Sequence, residues 1–339
     1  MRLKELLLNE YVLVFVFCLA AVHGPAFSLM DNFDLAGCVD CKTYLGLAQL
    51  DLDQSPIRRY RPIVPLLAGC INYVFGGVFK VLQPTSFNGD FGLSFSFYLV
   101  NCVLLSLWGV VIYRFGKAYG LRQLYALLGT LVMLTCRWTP YIAGTPLADS
   151  VYCLALGLAL LGIKEGNERM LLASILIGPF AKESYLLMAP IVFFFGKRKG
   201  RLTLYLALSG ALVFGFRYLY DMAAGTPPGS GLAADVDHVN YIADNTRRLL
   251  SFHGAYDVLS NMGLWLLLPI IALVTVPGAG RELRVRIEPY MICFLLVIVL
   301  HMVLSSSFER MFYLSMPVLC MLTGVSIQLI GDKWVFTRK

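Results

Sequence analysis

The sequence predicts an all-α, multi-pass membrane protein, a bundle of about ten transmembrane helices with its functional loops on the extracytoplasmic side. Apolar residues make up 58% of the 339 residues and charged residues only 14%, whereas soluble domains usually carry about a quarter charged residues. Apolar runs of roughly 17–25 residues recur along the chain, which is the length needed to cross about 30 Å of hydrocarbon. These runs lack the alternating pattern of an outer-membrane barrel strand, so helices are the expected means of satisfying the backbone inside the bilayer.

The apolar runs place ten helices in a single membrane domain that covers residues 1–339. Two long connections, residues 29–91 and 221–262, are expected to form extracytoplasmic loops. The predicted helix ranges are 9–28, 92–113, 121–136, 148–163, 169–181, 184–196, 202–220, 263–277, 289–305 and 311–330.

Basic residues concentrate in the connections on one side of these helices. That side holds 17 of the 28 Lys and Arg residues but 7 of the 21 acidic residues. Cytoplasmic loops of membrane proteins carry such an excess. We therefore expect both termini in the cytoplasm, and the net charge of +7 requires no nucleic-acid partner. The basic connections are Arg2/Lys4, Arg114/Lys117/Arg122, Lys164/Arg169, Lys197/Arg198/Lys199/Arg201, Arg281/Arg284/Arg286 and Lys333/Arg338/Lys339.

Two apolar segments need separate treatment to keep this charge asymmetry. Residues 62–83 are apolar enough to span, but a crossing there would reverse the side of every later basic connection. We predict instead a hairpin or juxtamembrane helix on the outer face, interrupted by prolines and glycines. Residues 169–196 are too many for one helix, so two short helices are expected to meet at an outer tip around Ala181-Lys182-Glu183.

The N-terminal apolar stretch, residues 11–22, follows a basic segment as it would in a cleavable signal peptide. Glu5 and Glu10 are unusual in such a peptide, and no small-x-small cleavage site precedes the acidic loop. An uncleaved first helix is therefore the favoured expectation.

Signature motifs of several enzyme classes are missing from the sequence. It contains no G-x-S-x-G elbow, no H-E-x-x-H motif and no P-loop, and its four histidines form no ligand-spaced set. Cys38 and Cys41 lie in the first outer loop and could oxidise there. No second cysteine pair completes a zinc site. Serine hydrolases, zinc proteases and ATP-driven pumps all lose support.

The first outer loop concentrates charged side chains beside apolar sequence. Asp31, Asp34 and Asp40 follow the first helix, and Asp40 lies about one turn before a stretch with helical apolar spacing. Arg59 and Arg61 adjoin the apolar segment 62–83, a placement suited to holding a lipid phosphate while its chain lies along apolar surface. The alternative interpretation is an ordinary solvated loop beside a membrane.

Three later outer positions carry charge where apolar sequence surrounds them. Asp149 begins a helix, where it could simply cap that helix and favour its dipole. Lys182 and Glu183 interrupt an apolar run, where charges are costly unless they are paired or solvated. They predict either a binding site or an ion pair that stabilises the tip. Arg310, in the last outer turn, has the same two interpretations.

The outer loop 221–262 divides into two parts. Its first part is rich in Gly and Pro and is predicted to be mobile. Its second part has amphipathic spacing and predicts a surface helix, which either covers a cleft or binds an acceptor, with Arg247 and Arg248 near lipid phosphates. A plain interfacial helix is the alternative.

Taken in order along the whole chain, these features resemble the GT-C superfamily of membrane glycosyltransferases, which use polyprenyl-phosphate-linked sugars. Each motif is short, and their order and sidedness carry the resemblance. The matching residues are Asp40-x-x-x-Tyr44-x-x-x-Ala48, Arg59-Tyr60-Arg61-Pro62-x-x-Pro65, Thr145-Pro146-x-x-Asp149, Ala181-Lys182-Glu183 and Arg310.

The resemblance implies sugar transfer from a polyprenyl-phosphate donor to a glycan, lipid or protein acceptor, with inversion, on the extracytoplasmic face of a bacterial inner membrane. An acidic residue of the first loop would act as general base or help to bind a divalent metal, and Asp40 is preferred, with Asp31 and Asp34 as alternatives. Metal dependence stays open, because Asp31, Asp34 and Asp40 are not spaced as an Asp-x-Asp motif and the sequence has no large soluble C-terminal domain. The substrate- and phosphate-binding candidates are Arg59, Arg61, Lys182, Glu183, Arg310 and Asp149.

Two other classes of protein remain as alternatives. A transporter or lipid flippase would be equally apolar, but such proteins usually place functional polar residues at the middle of the membrane. In this sequence the helix interiors offer little beyond Arg217. A non-enzymatic membrane scaffold would need no aligned acids and bases in its outer loops.

Overall fold

The computed structural model describes residues 9–227, 241–305 and 307–336, apart from residues 57, 85, 86 and 88. Throughout these residues every regular element is a helix, and no strand occurs. The all-α prediction is therefore confirmed. The α-helices, in chain order, are α1 (Glu10–Asn32), α2 (Val39–Ala48), α3 (Ile63–Val81), α4 (Phe91–Ala118), α5 (Gln123–Leu134), α6 (Trp138–Gly144), α7 (Asp149–Glu165), α8 (Glu168–Ala181), α9 (Ala189–Phe195), α10 (Lys199–Ala223), α11 (Tyr241–Leu249), α12 (Phe252–Met262), α13 (Leu267–Thr275), α14 (Ala279–Arg286), α15 (Pro289–Leu304), α16 (Phe308–Tyr313) and α17 (Met316–Phe336).

Several of these helices can cross a membrane. In the described part of the chain, five segments are long and apolar enough, namely α1, α3, α4, α10 and the stretch Phe252–Thr275. Helices α14 and α15 pass the same test together, with a bend of 81° between them. The chain is thus a multi-pass membrane protein by helix length and composition. The prediction of about ten transmembrane helices is not confirmed, because only these five segments, or six with the bent pair, pass the test among the described residues. The last predicted helix begins later than expected, at Met316, because the chain turns after Tyr313.

Helices α1 and α4 are antiparallel neighbours along their whole length. The Tyr113 hydroxyl donates a hydrogen bond to Glu10 at the start of α1, and the Tyr98 hydroxyl donates to the His23 carbonyl oxygen near its other end. Between these contacts, a Cβ at Gly109 would lie 2.6 Å from the Cys18 sulfur. The glycine therefore permits the close approach of the two helices, as small residues do in membrane bundles.

Helix α7 runs parallel to α4, and together they define two ends of the bundle. At the start of α7, Asn101 of α4 donates hydrogen bonds to the carbonyl oxygens of Thr145 and Leu147. At its other end, Arg114 and Glu165 form an ion pair at 2.6 Å. Seventeen helical residues separate the two contacts by about 25 Å. We call the end where α4 and α7 begin the cluster end, and the opposite one the basic end.

Helix α3 is one continuous helix, so the predicted hairpin at 62–83 is wrong. Pro62 is its N-cap and Pro65 lies in its first turn, where a missing N–H leaves no hydrogen bond unmade. The helix continues through Gly69 and Gly76, and both glycines allow other parts of the chain to approach it closely. Gly69 lies against the carbonyl of Ala48, and Gly76 borders the start of α4.

The contacts of α3 show that it packs against α4. The rings of Phe79 and Phe95 pack 4.9 Å apart, while Asn72, seven residues earlier in α3, borders Gly92. Helix α3 therefore packs against the N-terminal turns of α4 at the cluster end.

The two remaining special segments follow the sequence predictions in part. Helix α8 ends at Ala181, and a 3₁₀ turn (Glu183–Met188) leads directly into α9, so a tip forms at Lys182 as predicted. The Gly/Pro-rich part of loop 221–262 lies largely outside the described residues. Its amphipathic part forms two helices, α11 and α12, instead of one, because Ser251 caps a new helix by accepting from the Gly254 N–H.

Candidate functional site

Helix α2 holds Asp40 in a defined position at the cluster end. Cys38 is the N-cap of this helix, and a disulfide joins it to Cys41. Asp40 lies between the two cysteines in the first turn of α2, because this helix begins about one turn earlier than the sequence predicted. The disulfide and the helix together fix the backbone on both sides of this carboxylate.

The Asp40 carboxylate contacts two guanidinium groups. One oxygen pairs with the Arg58 side chain, and the other accepts hydrogen bonds from both terminal nitrogens of Arg310 at 3.3 and 3.4 Å. Arg310 also reaches Asp149, at 3.8 Å. Asp149 starts α7 without acting as its N-cap, which is Ala148. Arg310 thus bridges an acid from the first loop and an acid from α7.

The Lys182 ammonium lies at the tip between α8 and the 3₁₀ turn, with few acceptors around it. Its nitrogen is 4.0 Å from the Asp149 carboxylate and 5.7 Å from the centre of the Tyr152 ring. Within the described residues its one hydrogen-bond acceptor is the sulfur of Met311, at 3.3 Å. A thioether is a weak acceptor and an ammonium has three donors, so this group has capacity for an anion.

A second set of ion pairs surrounds Glu183, the neighbour of Lys182. Arg61 donates to one carboxylate oxygen through two nitrogens, at 2.8 and 3.1 Å. Arg217, from the last turns of α10, approaches the other oxygen at 3.3 Å. Arg61 also donates to the Tyr44 hydroxyl at 3.0 Å, which ties this set to α2.

These ion pairs form one group, which we call the charge cluster. Arg217 apart, its described members are four cations and three carboxylates, an excess of one positive charge. Apart from Arg58, its side chains are only 9–17% exposed, so solvent screens their charges little. An uncompensated positive charge in such surroundings is costly and favours an anionic ligand. The members of the charge cluster are Asp40, Arg58, Arg61, Asp149, Lys182, Glu183, Arg217 and Arg310.

Burial and neighbouring charges act in opposite directions on the arginines of the cluster. Burial alone lowers the pKa of Arg61, but Glu183 raises it well above its usual range. Burial lowers the pKa of Arg310 too, and the carboxylates of Asp149 and Asp40 reverse that effect and raise it. Both guanidinium groups therefore stay charged.

Lys182 differs from the arginines. Burial, together with repulsion from Arg61 and Arg310, lowers the pKa of its ammonium to about 8, against the partial compensation from Asp149. Lys182 is therefore the cation of the cluster that can lose its charge near physiological pH.

The structure brings six of the nine predicted site residues into the charge cluster and places Arg59 elsewhere. Arg59 is buried against Asp221 of α10 at 2.7 Å, and the Tyr60 hydroxyl donates to the same carboxylate. This pair anchors the first loop to α10. The predicted residues in the cluster are Asp40, Arg61, Asp149, Lys182, Glu183 and Arg310.

Asp31 and Asp34, the alternatives to Asp40, lie in the last turn of α1 and just after it. Asp31 forms no ion pair within the described residues, whereas Asp40 forms two. The described part of the chain contains no group of three or more His, Cys, Asp and Glu side chains arranged to hold a metal. Because the oxygens of Asp40 already contact two guanidiniums, this donor set does not fit a divalent metal.

Sequence reasoning missed several members of this region. Arg58 directly precedes Arg59 in the first loop, and nothing in the spacing distinguishes it as a site residue. Arg217 did carry a signal, since a lone arginine in an apolar helix usually faces a functional interior. Arg248, expected near lipid phosphates, instead pairs with Asp257 and Glu309 and ties α11 to the turn that carries Arg310.

Tyr152 and His301 form a hydrogen-bonded pair next to Lys182 of the charge cluster. The His301 Nδ1 atom is 2.8 Å from the Val297 carbonyl oxygen, so it donates to that oxygen. The Nε2 atom of the same ring then accepts from the Tyr152 hydroxyl at 2.9 Å. Ser184 donates to the Tyr152 oxygen at 3.4 Å and connects the pair to the tip beside Lys182.

Fold and site together define an all-α, multi-pass membrane protein with a buried, positively charged cluster at one end of its bundle. Comparisons with protein-family models, with curated proteins and with solved structures found no match for this chain.

Proposed function

We propose that this chain is a glycosyltransferase of the GT-C type, which moves a sugar from a polyprenyl-phosphate-linked donor to an acceptor at the cluster end. The observation that carries the proposal is the Lys182 ammonium, whose one hydrogen-bond acceptor within the described residues is a thioether sulfur and which shares Asp149 with the Arg310 guanidinium. A phosphate monoester carries about −1.5 to −2 charges at neutral pH. A departing polyprenyl phosphate would supply the negative charge and the acceptor oxygens that this ammonium lacks.

The proposed reaction follows from the positions of the acids and bases. The acceptor oxygen attacks the anomeric carbon and forms a new C–O bond while its proton passes to a carboxylate, for which Asp40 is the candidate. The bond between the anomeric carbon and the phosphate oxygen breaks, and its electron pair leaves with the phosphate. Lys182 and Arg310 stabilise the charge that develops there, and attack from the opposite side inverts the anomeric centre.

The apolar surface next to the cluster suits the polyprenyl chain. Helix α3 begins two residues after Arg61, and its Leu66, Leu67, Tyr73 and Val74 are exposed. Because a membrane crossing by α3 would reverse the side of every later basic connection, we infer that it lies as a juxtamembrane helix at the membrane boundary. A lipid phosphate at the cluster could then extend its chain along α3.

The orientation proposed for the bundle puts the cluster end outside the cytoplasm. The basic connections around Arg114 and Lys164 lie at the opposite end, in line with the positive-inside asymmetry. The disulfide between Cys38 and Cys41 at the cluster end is the kind of bond that persists in oxidising compartments. A bacterial inner membrane with cytoplasmic termini fits both observations.

A reconstitution experiment tests the proposed function. Purified protein in vesicles is given a panel of radiolabelled polyprenyl-phosphate sugars with membrane extract as acceptor, and both released polyprenyl phosphate and transferred label are quantified. Release matched by transfer supports the glycosyltransferase. Movement of intact donor between leaflets without release would support the transporter or flippase instead.

The pKa of Lys182 predicts how the reaction depends on pH. Its ammonium is charged below pH 8 and loses its proton as the pH rises through about 8. The value of kcat/KM for the donor should therefore decline with a slope of one proton above this pH, because this parameter reports ionisations of the free enzyme. In Lys182→Arg the guanidinium stays charged, so the decline at pH 8 should disappear. An unchanged decline in that variant would assign it to another group.

The disulfide should support activity by fixing Asp40. Loss of the bond frees the N-terminal turn of α2, and misplacement by about 1 Å can cost roughly 100-fold in rate. We expect Cys38→Ser/Cys41→Ser to lower transfer about 10- to 100-fold, and a reductant to do the same to the natural chain. Cys70→Ser, which removes an exposed free thiol, is the matched control. Equal rates for the double variant and the natural chain would contradict this role.

A further inference from the structure

A cleft at the basic end lies far from the charge cluster and has no part in the proposed reaction. Its volume is about 700 Å³, within the range of about 300–1,000 Å³ found for small-molecule sites. The turn between α7 and α8 forms one wall, and the start of α10 with the turn before it forms the other.

The charges of this cleft are strongly unbalanced. Its lining contains four cations and a single carboxylate, that of Glu168. Arg198 and Arg201 both pair with Glu168, at 2.7 and 3.1 Å. Arg169 and Lys197 form no ion pair within the described residues and are exposed. The cleft therefore has spare cations for a phosphate group.

The apolar surroundings favour a lipid over a soluble anion. Leu171, Leu172 and Leu202 line the cleft beside the cations. Helix α10 starts at the cleft. It is the least buried of the five candidate spans, with 11% of its 18-residue apolar stretch buried inside the protein. Its Leu204 and Leu208 are exposed beyond the cleft and would accompany acyl chains. A headgroup at the cleft would thus place its chains along a lipid-facing helix.

We propose that this cleft binds the phosphate headgroup of an anionic phospholipid in the leaflet at the basic end. Basic pockets between membrane helices on the cytoplasmic side suit such headgroups. This site is independent of the donor site, so the proposal stands or falls separately from the glycosyltransferase assignment.

The test measures binding of dioctanoyl phosphatidylglycerol to the purified full chain in neutral detergent by native mass spectrometry. Each surface cation contributes about fivefold to such binding, so Arg169→Gln/Lys197→Gln should weaken it about 25-fold. These substitutions leave both ion pairs of Glu168 intact, and an unchanged melting temperature would show that the fold is retained. The matched control is Arg281→Gln/Arg284→Gln, which removes two basic residues of α14 outside the cleft.

Two comparison ligands complete the experiment. Dioctanoyl phosphatidylcholine should bind at least tenfold more weakly than phosphatidylglycerol, because its headgroup has no net charge. Inorganic phosphate should compete only weakly, because it lacks the acyl chains. Full phosphatidylglycerol binding by the cleft variant would overturn the proposal, and so would inorganic phosphate that binds as well as the lipid.

Discussion

Arg310→Gln should lower the rate of sugar transfer by about 100- to 1,000-fold, the loss expected when one preorganised donor to a developing negative charge is removed. Arg310 lies between Asp40 at 3.3 Å and Asp149 at 3.8 Å, so it positions the proposed base as well as the phosphate. Replacement by glutamine also reduces the excess charge of the cluster. The measurement is single-turnover release of polyprenyl phosphate from a saturating donor, which separates chemistry from binding.

Two further variants sharpen this prediction. Arg310→Lys keeps the charge but loses the planar fork that contacts two acids, so its rate should fall between those of the glutamine variant and the natural chain. Arg137→Gln removes an exposed arginine that donates to Ser260, outside the charge cluster, and should stay within about twofold of the natural chain. A normal rate for Arg310→Gln would remove this residue from the mechanism.

Asp221→Asn should destabilise the protein by about 3–5 kcal/mol, although Asp221 lies outside the charge cluster. Its carboxylate is 1% exposed and contacts the Arg59 guanidinium, 3% exposed, at 2.7 Å. Asparagine keeps an oxygen for the hydrogen bonds from Arg59 and Tyr60 but removes the negative charge. Loss of one charge from a buried pair typically costs this much, because the other charge has already lost its hydration.

The measurement is the free energy of reversible unfolding in mixed micelles. Asp332→Asn provides the control, because it breaks the exposed pair between Arg122 and Asp332, whose side chains are 59% and 39% exposed. Exposed pairs contribute about 0–1 kcal/mol. Equal small losses for the two variants would show that the Arg59–Asp221 pair does not anchor the first loop to α10.

Apolar run lengths predicted the all-α membrane class, because the hydrocarbon core imposes a minimum length and forbids open backbone, but they overestimated how many helices of the described residues can span. The same rule failed to distinguish a hairpin from a continuous helix at 62–83. Pro62 and Pro65 are compatible with a first turn, and Gly69 can serve either as a break or as a packing contact. Whether Gly69 breaks the helix or packs closely against a neighbour depends on its contact with Ala48 of α2. That contact exists only in the folded chain.

The acids and bases of the site were partly predictable, because charges within apolar sequence are rare and costly. Lys182 and Glu183 stood out for this reason. Their partners did not, since Arg61 reaches Glu183 across 122 residues and Arg310 reaches Asp40 across 270. Arg58 and Arg59 are adjacent in sequence, yet one contacts Asp40 and the other is buried against Asp221.

The most direct test of the proposed mechanism compares two acids of the first loop in the reconstituted enzyme. Asp40→Asn and Asp34→Asn are reconstituted at equal density, and released polyprenyl phosphate is quantified for each with the donor that the natural chain uses. The charge cluster includes Asp40, so release should fall at least 100-fold in Asp40→Asn and stay near the natural rate in Asp34→Asn. Equal release by Asp40→Asn and the natural chain would contradict the assignment of Asp40 as the base, and absence of release from every donor would contradict glycosyl transfer itself.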